Sequence, residues 1–409
     1  MSKCYPADDV LAVAVKNIAV PGGHRNVQSI PHEKQRSSKI HALTSLRFFA
    51  ALYVVIFHAL VIPSFLTGIS QDGPLGRFLG LGYVSVSFFF LLSGYILGVV
   101  YLRHESQVSL KTFYWARFAR VYPLFFLTLV LDTPNLFLIK LAVYGLTGGL
   151  LRTAIRFAAN VVMLQAWIPA WRGIDNPNWS LSVETIFYLV FPFLGVALWK
   201  LRGLRLWILG VAIFVCGQVL VFLVAPRINF ESAMFLPLLH LSTFAIGILL
   251  ARWQTLRMHQ RVEGRGSKRL IRSLFLALAV VSFAAVVYFS TTAMKTNLFD
   301  GLLAPIFVIV IWSFSDSDWL PARLLSVRWL VVLGESSFAL YLIHFPVLHL
   351  FQHLGWHHIV ALFPVYLGVN IGLSVLSFYY FEAPMRRWII RRSGVVRAKE
   401  TLEMASNAQ

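Results

Sequence analysis

The chain has 409 residues, of which 58% are hydrophobic and only 13% charged, and its formal net charge is +19 at pH 7. Soluble domains are about 45–50% apolar and about 25% charged, so this composition excludes a soluble protein and indicates a polytopic membrane protein. The two cysteines, Cys4 and Cys216, are far apart in sequence, which argues against a disulfide framework and a thiolate zinc site. No nucleic-acid recognition motif accompanies the positive charge, and we expect no nucleic-acid partner.

The first 40 residues mix charged residues, prolines and glycines with one short apolar stretch, 10–20. That stretch is too short to cross a bilayer, and the acidic residues before it are unlike a signal peptide. We therefore interpret residues 1–40 as a cytoplasmic arm that is disordered or lies on the membrane surface. Residues 389–409 are interpreted as a basic cytoplasmic tail.

The region 41–388 is predicted to form an all-α transmembrane domain of about ten helices. A helix needs about 20 apolar residues to cross the hydrocarbon core. A further, partly apolar stretch at 141–168 contains two arginines and three glycines, which favours a re-entrant or interfacial segment over a complete span. The predicted spans are 43–62, 82–102, 118–138, 181–199, 206–225, 233–250, 272–290, 298–314, 329–350 and 359–381.

The distribution of lysine and arginine over the predicted loops indicates the topology. With the N-terminus inside, 29 of the 36 basic residues fall in cytoplasmic segments and seven lie outside. Positive residues concentrate in short cytoplasmic loops of membrane proteins, so both termini are predicted to be cytoplasmic. Most of the net positive charge is then a consequence of topology.

The first predicted span contains an arginine and a histidine on one helix face. Arg47 and His58 are eleven residues apart, which is almost three helical turns and roughly 16 Å along the axis. The small side chains of Ala50, Ala51 and Val54 form the stripe between them. Because an ionisable residue in an apolar span is costly, we take both as functional candidates.

Three other titratable residues, Asp132, Glu184 and His344, are predicted to lie at a depth similar to that of His58. The functional interpretation is that His58 is a general base, oriented by the carboxylate of Glu184 or Asp132. Each residue also has a structural interpretation. His58 can form a structural hydrogen bond to another helix, and His344 can donate to a backbone carbonyl beside Pro346. Glu184 can stabilise the first turn of its helix after the N-cap Ser180, and Asp132 can line water.

A second group of candidates faces the cytoplasm. Arg117 and Arg120 are three residues apart and share a face at the inner edge of the third span. Arginine binds phosphate through paired hydrogen bonds, so these residues and Arg47 can hold a polyanionic donor that enters from inside. The alternative is that they anchor the helix to anionic lipid headgroups.

Five histidines between His344 and His358 suggest a metal site, because three of them follow a helical spacing of four residues. Gly355 interrupts the helix, and no acidic ligand is near in sequence. We interpret this stretch as an outer interfacial loop and expect no metal.

These motifs, in this order, resemble the acyltransferase-3 family of integral membrane acyltransferases. The resemblance covers about residues 41–388 and depends on the ordered set more than on any single motif. The segments that carry it are Leu46 to His58, Gly82 to Tyr95, Tyr114 to Pro123, Trp179 to Tyr188, Gly334 to His344 and Tyr380 to Pro384.

The resemblance implies an O-acyltransferase in the bacterial cytoplasmic (inner) membrane. Such an enzyme takes an acyl group, usually acetyl, from cytoplasmic acyl-CoA and delivers it to a hydroxyl of a sugar or lipid-linked glycan of the cell envelope or of an exported saccharide. It implies that His58 is the catalytic base, that Arg47 is a donor-site residue and that Arg117 and Arg120 bind the coenzyme A phosphates. Trp179, Ser180 and Glu184 would belong to the acceptor or catalytic side, where we also place His344.

Two departures from the family pattern affect these expectations. Thr185 follows Glu184 where a second acid often stands, so no role is assigned to a second carboxylate. The chain also ends shortly after its last predicted span, without an esterase-like domain. We therefore expect transfer to finish within the membrane domain or to pass to a partner protein.

Two other functions remain open from the sequence. One is acylation of a small lipophilic acceptor. The other is a transporter or flippase that uses the same polar residues, but the sequence lacks the matching pair of broken helices that many transporters show.

Overall fold

The computed structural model describes residues 31–61, 65, 69–70, 72–102, 108–228, 230–259, 265–290, 294–315 and 319–394. These residues form helices joined by short turns, and no β-strand occurs among them. The predicted N-terminal arm and C-terminal tail lie mostly outside the described residues. The first helix already begins at Pro31, ten residues before the predicted start of the membrane domain.

Sixteen α-helices are described, and we number them in chain order. The first eight are α1 Pro31–Val61, α2 Pro74–Gly80, α3 Ser85–Leu97, α4 Leu110–Val161, α5 Trp179–Trp199, α6 Gly203–Val224, α7 Phe230–Phe235 and α8 Pro237–His259. The others are α9 Arg265–Phe289, α10 Lys295–Phe299, α11 Ala304–Phe314, α12 Leu320–Leu325, α13 Arg328–Glu335, α14 Ser337–His353, α15 Phe363–Ser377 and α16 Ala383–Arg392. Two π-helical segments, Gly98–Leu102 and Phe378–Glu382, follow α3 and α15.

Among the described residues, eight segments are long and apolar enough to cross a membrane, and a ninth is obtained if α13 and α14, which meet at 56°, count as one span. The helix α8 corresponds to the predicted span 233–250 but is not among these, and it carries the polar residues His240, Arg252 and Gln254. The predicted all-α polytopic class is therefore confirmed, with eight to nine candidate spans where the sequence predicts about ten.

The helix α4 reverses direction at Gly145, whose φ of 65° and ψ of −175° break the helical path. Glycine adopts this backbone conformation without the steric cost that other residues incur. After the break the chain runs back along the first half of α4, since the hydroxyl of Tyr122 donates to the carbonyl of Val161 at 3.2 Å and the rings of Phe126 and Phe157 are 6.3 Å apart. The reversal falls in the stretch that is predicted to be re-entrant or interfacial, and the position of this stretch relative to the membrane stays a prediction.

Glycines permit close contact between two pairs of helices. A Cβ atom added at Gly94 in α3 would meet the carbonyl oxygen of Phe244 in α8, and one added at Gly247 would meet that of Leu91. Similarly, a Cβ at Gly334 in α13 would meet the carbonyl oxygen of Thr44 in α1. Small residues allow backbones to approach in membrane proteins, where packing replaces the hydrophobic effect between helices.

Candidate active site

The helix α14, which carries the predicted site residue His344, contacts four others in order along its length, namely Arg120, Ser180, His58 and Asp132. Phe338, Tyr341, His344 and His349 follow one another at intervals of three to five residues, so they lie on adjoining faces of one helix. The ring of Phe338 lies 5.9 Å from the guanidinium of Arg120. The other three contact Ser180, His58 and Asp132, as described below. Interactions along this helix therefore connect the arginine end of the site to the histidine end.

His58 and His344 form a hydrogen-bonded pair. The Nδ1 atom of His58 is 3.0 Å from the Nε2 atom of His344. His344 is completely buried, whereas His58 is half-buried beside the rings of Phe57 and Phe345, whose centroids lie 5.0 and 4.9 Å away. His58 is thus the member of the pair that a substrate can contact.

Asp132 contacts His349 and not His58. Its Oδ1 atom is 2.5 Å from Nδ1 of His349, and its Oδ2 atom accepts the backbone N–H of Asp175 at 2.6 Å. The hypothesis that Asp132 orients His58 directly is therefore not supported by the geometry. His349 lies more than one turn beyond His344 on α14. Asp132 therefore contacts a different part of this helix from the part that contacts His58.

Asp175 is a second buried acid beside Asp132. It is completely buried, and it precedes the short turn Asn176–Asn178 with a left-handed φ of 43°. Burial, together with the neighbouring carboxylate of Asp132, raises the pKa of Asp175 well above its usual range. The buried carboxyl of Asp175 therefore favours its protonated, uncharged form.

Ser180 and Trp179 begin helix α5. The hydroxyl of Ser180 lies 2.9 Å from the hydroxyl of Tyr341 and donates to the carbonyl of Pro177 at 2.9 Å. Trp179 is buried and packs against aromatic side chains, and its ring centroid is 5.2 Å from that of Phe299. Both residues thus make structural contacts in this conformation. Their expected role on the acceptor side remains a prediction.

Glu184 lies at the arginine end of the site. It accepts a hydrogen bond from Ser93 at 3.1 Å, bonds to Tyr188 one turn later and interacts electrostatically with Arg47 and Arg117. Among the described contacts, Glu184 meets the arginines and not His58, and its expected depth level with His58 stays a prediction. Near the start of α5, the hydroxyl of Ser182 donates to the carbonyl of Met163 at 2.5 Å, which ties this helix to the segment that follows α4.

Arg117 and Arg120 point to different partners. Arg120 forms an ion pair with the buried carboxylate of Glu382 at 2.9 Å. Arg117 donates to the hydroxyl of Tyr101 at 3.3 Å and lies over the rings of Tyr101 and Tyr188. Tyr101 and Glu382 belong to the two π-helical segments. Such segments occur often at functional sites.

Arg47 completes a positively charged cluster around Glu382. Arg47, Arg120 and Arg386 all interact electrostatically with this carboxylate, so three arginines face one glutamate. The stripe that leads from Arg47 to His58 is largely covered, because Ala51 and Val54 are buried against other helices. The expected path for a donor arm over these two residues is therefore packed by protein, and Ala50 is the half-buried member of the stripe.

The histidines between His344 and His358, which suggest a metal site in the sequence, contact different partners in the structure. His349 binds Asp132, and His353 lies 3.2 Å from the amide oxygen of Asn135. In the part of the chain that the structure describes, no group of three potential metal ligands occurs.

Several polar residues of the site were not assigned a role from the sequence, namely Tyr101, Asp175, Tyr341, His349 and Glu382. Only a weak signal for them exists in the sequence. Tyr341 and His349 share the pattern of α14 with His344, and Glu382 belongs to a segment that supports the family resemblance. The partners of these residues lie on helices that are distant in sequence, so the sequence does not predict them.

The fold and the site together define a polytopic helical membrane protein in which helix α14 runs from an arginine cluster, beside Phe338, to the pair of His58 and His344. A family model described as an acyltransferase domain matches residues 40–379. The chain therefore belongs to the acyltransferase-3 family, as the sequence motifs predict, and it is an acyltransferase.

Curated relatives agree with this assignment. The chain is 30% identical to acyltransferase MdmB of Streptomyces mycarofaciens over 76% of this chain and 80% of that protein. It is 24% identical to O-acetyltransferase OatA of Staphylococcus aureus over 87% of this chain and 58% of that protein. A putative O-acetyltransferase of the same species, SACOL0978, shows 24% identity over 85% of this chain and 57% of its own length. No solved structure matches the chain.

Proposed function

We propose that this protein is an O-acyltransferase of the bacterial cytoplasmic membrane that moves an acetyl group from cytoplasmic acetyl-CoA to a hydroxyl of a cell-envelope or exported saccharide. The single observation that carries the proposal is that one helix, α14, contacts both an arginine of the cluster, through Phe338, and the half-exposed His58, through His344. Acyl transfer from a phosphorylated donor needs both ends, an anion-binding end and a base.

At the donor end, Arg47, Arg117 and Arg120 would bind the phosphates of coenzyme A. Guanidinium groups suit phosphate because they form paired, charge-assisted hydrogen bonds. Glu382 neutralises part of this cluster, so the site is stable without a bound anion and retains net positive charge for one. The thioester would then extend toward His58.

At the acceptor end, His58 would act as the general base. The acceptor O–H bond breaks as its proton moves to Nε2 of His58, and the oxygen forms the new ester bond at the thioester carbonyl carbon. The C–S bond then breaks, and the coenzyme A thiolate takes the proton from the imidazolium of His58. No net proton is consumed.

The function is tested by comparing wild-type protein with His58→Ala at matched membrane expression. Proton NMR of extracted envelope glycans and secreted polysaccharides measures acetyl methyl signals. We expect one specific acetyl signal to fall by roughly 10²-fold or more in His58→Ala, since a general base contributes about 10²–10⁴-fold. His353→Ala, which changes an exposed histidine on α14, is the control and should retain the signal.

The opposite result would redirect the proposal. If every glycan acetyl signal persists in folded His58→Ala protein, acetyl-CoA consumption by membranes should be measured with lipid and small-molecule extracts as acceptors. Consumption that depends on His58 there would support the second candidate, acylation of a small lipophilic acceptor. No dependence on His58 in any extract would reject this residue as the base.

A further inference from the structure

The hydrogen bond between His58 and His344 lies in the planes of both rings. The ring centroids are 5.1 Å apart and the planes differ by 25°, while the bonded nitrogens are 3.0 Å apart. The centroid distance exceeds the nitrogen distance by about two ring radii, so the rings meet edge to edge. The lone pair and the N–H bond of imidazole both lie in the ring plane, and this geometry therefore fits one N–H···N hydrogen bond.

The proposed role of His58 as the base decides which ring donates. Nδ1 of His58 faces Nε2 of His344, so Nε2 is the His58 nitrogen that is left for a substrate. A general base needs a free lone pair on that nitrogen, and a neutral imidazole carries its single proton on the other one. The proton of His58 then lies on Nδ1 and is donated to Nε2 of His344. The proton of His344 lies in turn on its Nδ1, a buried atom without a hydrogen-bond partner among the described residues.

We propose that His344 is a positioning residue that holds His58 in the tautomer with its proton on Nδ1, so that the lone pair of Nε2 faces the acceptor hydroxyl. This inference rests on the proposed function, because it needs His58 to be the base. While Nε2 takes the acceptor proton and later returns it to the thiolate, the Nδ1–H bond stays intact and donates to His344. A second group that orients a histidine in this way is a recurrent device in catalysis.

Contacts around the histidine pair hold His344 in place. Its backbone carbonyl accepts a hydrogen bond from the hydroxyl of Tyr366 in α15 at 3.1 Å, and Pro346 follows two residues later. Tyr341 and His349 are the titratable groups that face it from the turns on either side. His349 is bound to Asp132. The acceptor of the His58 proton is thus a neutral ring, and no carboxylate contacts His58 in the described part of the chain.

Three variants of the full-length protein in membranes test the proposal. His344→Gln keeps an acceptor oxygen at the end of a side chain of similar reach, His344→Leu removes the acceptor, and His353→Leu is the matched control on the same helix. The assay follows thiol release from acetyl-CoA with the acetyl-accepting extract identified by NMR. We expect His344→Leu to lower kcat by roughly 10²-fold with the KM for acetyl-CoA unchanged, and His344→Gln to restore at least a tenth of the wild-type rate.

Equal losses in the Gln and Leu variants, or a wild-type kcat in His344→Leu, would overturn the proposal. A measurement on the unmutated side chain keeps the proposal testable if His344→Leu does not fold. Nitrogen-15 NMR of histidine-labelled protein, assigned by difference against His58→Gln, should show His58 protonated on Nδ1 and bare on Nε2. The opposite tautomer would refute it.

The two proposals fail in different ways. If His58→Ala transfers acetyl groups at the wild-type rate, the proposed mechanism is wrong and His344 has no base to position. If His58→Ala is inactive while His344→Leu is fully active, only the positioning role is rejected.

Discussion

Asp175 is a buried acid on the turn that leads into α5, and its environment predicts a pH-dependent stability. Its pKa is raised by burial and by Asp132, so the folded protein keeps a proton that the unfolded chain releases above the usual aspartate range. The folded state binds more protons there, and stability must decrease as pH rises. Below that range both states are protonated, and the stabilising contribution is fully present.

The substitution Asp175→Asn removes this titration. We expect the thermal midpoint of Asp175→Asn, measured in detergent, to exceed that of the wild type by an amount that grows as pH increases from about 4 to about 8. Asp72→Asn, which changes an exposed acid outside the helices, should show no such divergence. Parallel curves for Asp175→Asn and wild type would show that Asp175 is ionised in the folded protein.

At the scale of single residues, the sequence identified both histidines but not their contact. His58 and His344 are separated by 286 positions, and their hydrogen bond depends on how α14 is rotated against α1. For the same reason, the sequence cannot tell which of the acids Asp132 and Glu184 lies beside His58. Depth can be argued from helix register, whereas lateral position requires the packed bundle.

At the scale of helices, the contact of α1 with α13 positions Arg47. Gly334 lies against the carbonyl of Thr44, one turn before Arg47, so any side chain at this position must push the two helices apart. Overpacking of a closely fitted contact costs about 1–3 kcal/mol. The arginine would move with α1.

We therefore expect Gly334→Ala to lower the thermal midpoint in detergent and to raise the KM for acetyl-CoA. Gly368→Ala is the matched control, because Gly368 is also helical but has no atom within 4 Å of an added Cβ. Alanine should there leave stability unchanged or increase it by up to about 1 kcal/mol, owing to its higher helix propensity. Equal effects of the two substitutions would show that α1 and α13 adjust without cost.

The helices themselves were largely predictable, since an apolar run of sufficient length has few alternatives in a membrane. The glycine-rich stretch at 141–168 contains the chain reversal at Gly145, although the sequence predicts a re-entrant or interfacial segment there and not the reversal itself. The sequence did not indicate that α13 and α14 form a bent pair. The bend depends on packing between helices that are distant in sequence, such as the contact of Gly334 with Thr44.

At the scale of the whole molecule, the orientation of the bundle determines which side supplies the donor. The distribution of lysine and arginine predicts cytoplasmic termini, and the arginine cluster around Glu382 lies just before the last helix, α16. A full-length protein with a C-terminal green fluorescent protein should fluoresce, whereas a C-terminal alkaline phosphatase fusion should be inactive. An active phosphatase would place the arginine end outside and exclude cytoplasmic acetyl-CoA as the donor.

The π-helical segment Phe378–Glu382 holds an extra residue in the last span without turning Arg386 away from the cluster. A π turn holds one residue more than an α turn, and each residue of an α-helix rotates the chain by about 100°. Deleting a single residue between 378 and 382 would therefore let a regular α turn take its place, and the helical phase after it would be kept. Deleting one of the α-helical residues 383–385 would instead rotate Arg386 by about 100° and take it out of the cluster, although it and the other arginines would all remain in the sequence. The proposed donor site thus depends on the helical phase of the final span as well as on the identity of its charged side chains.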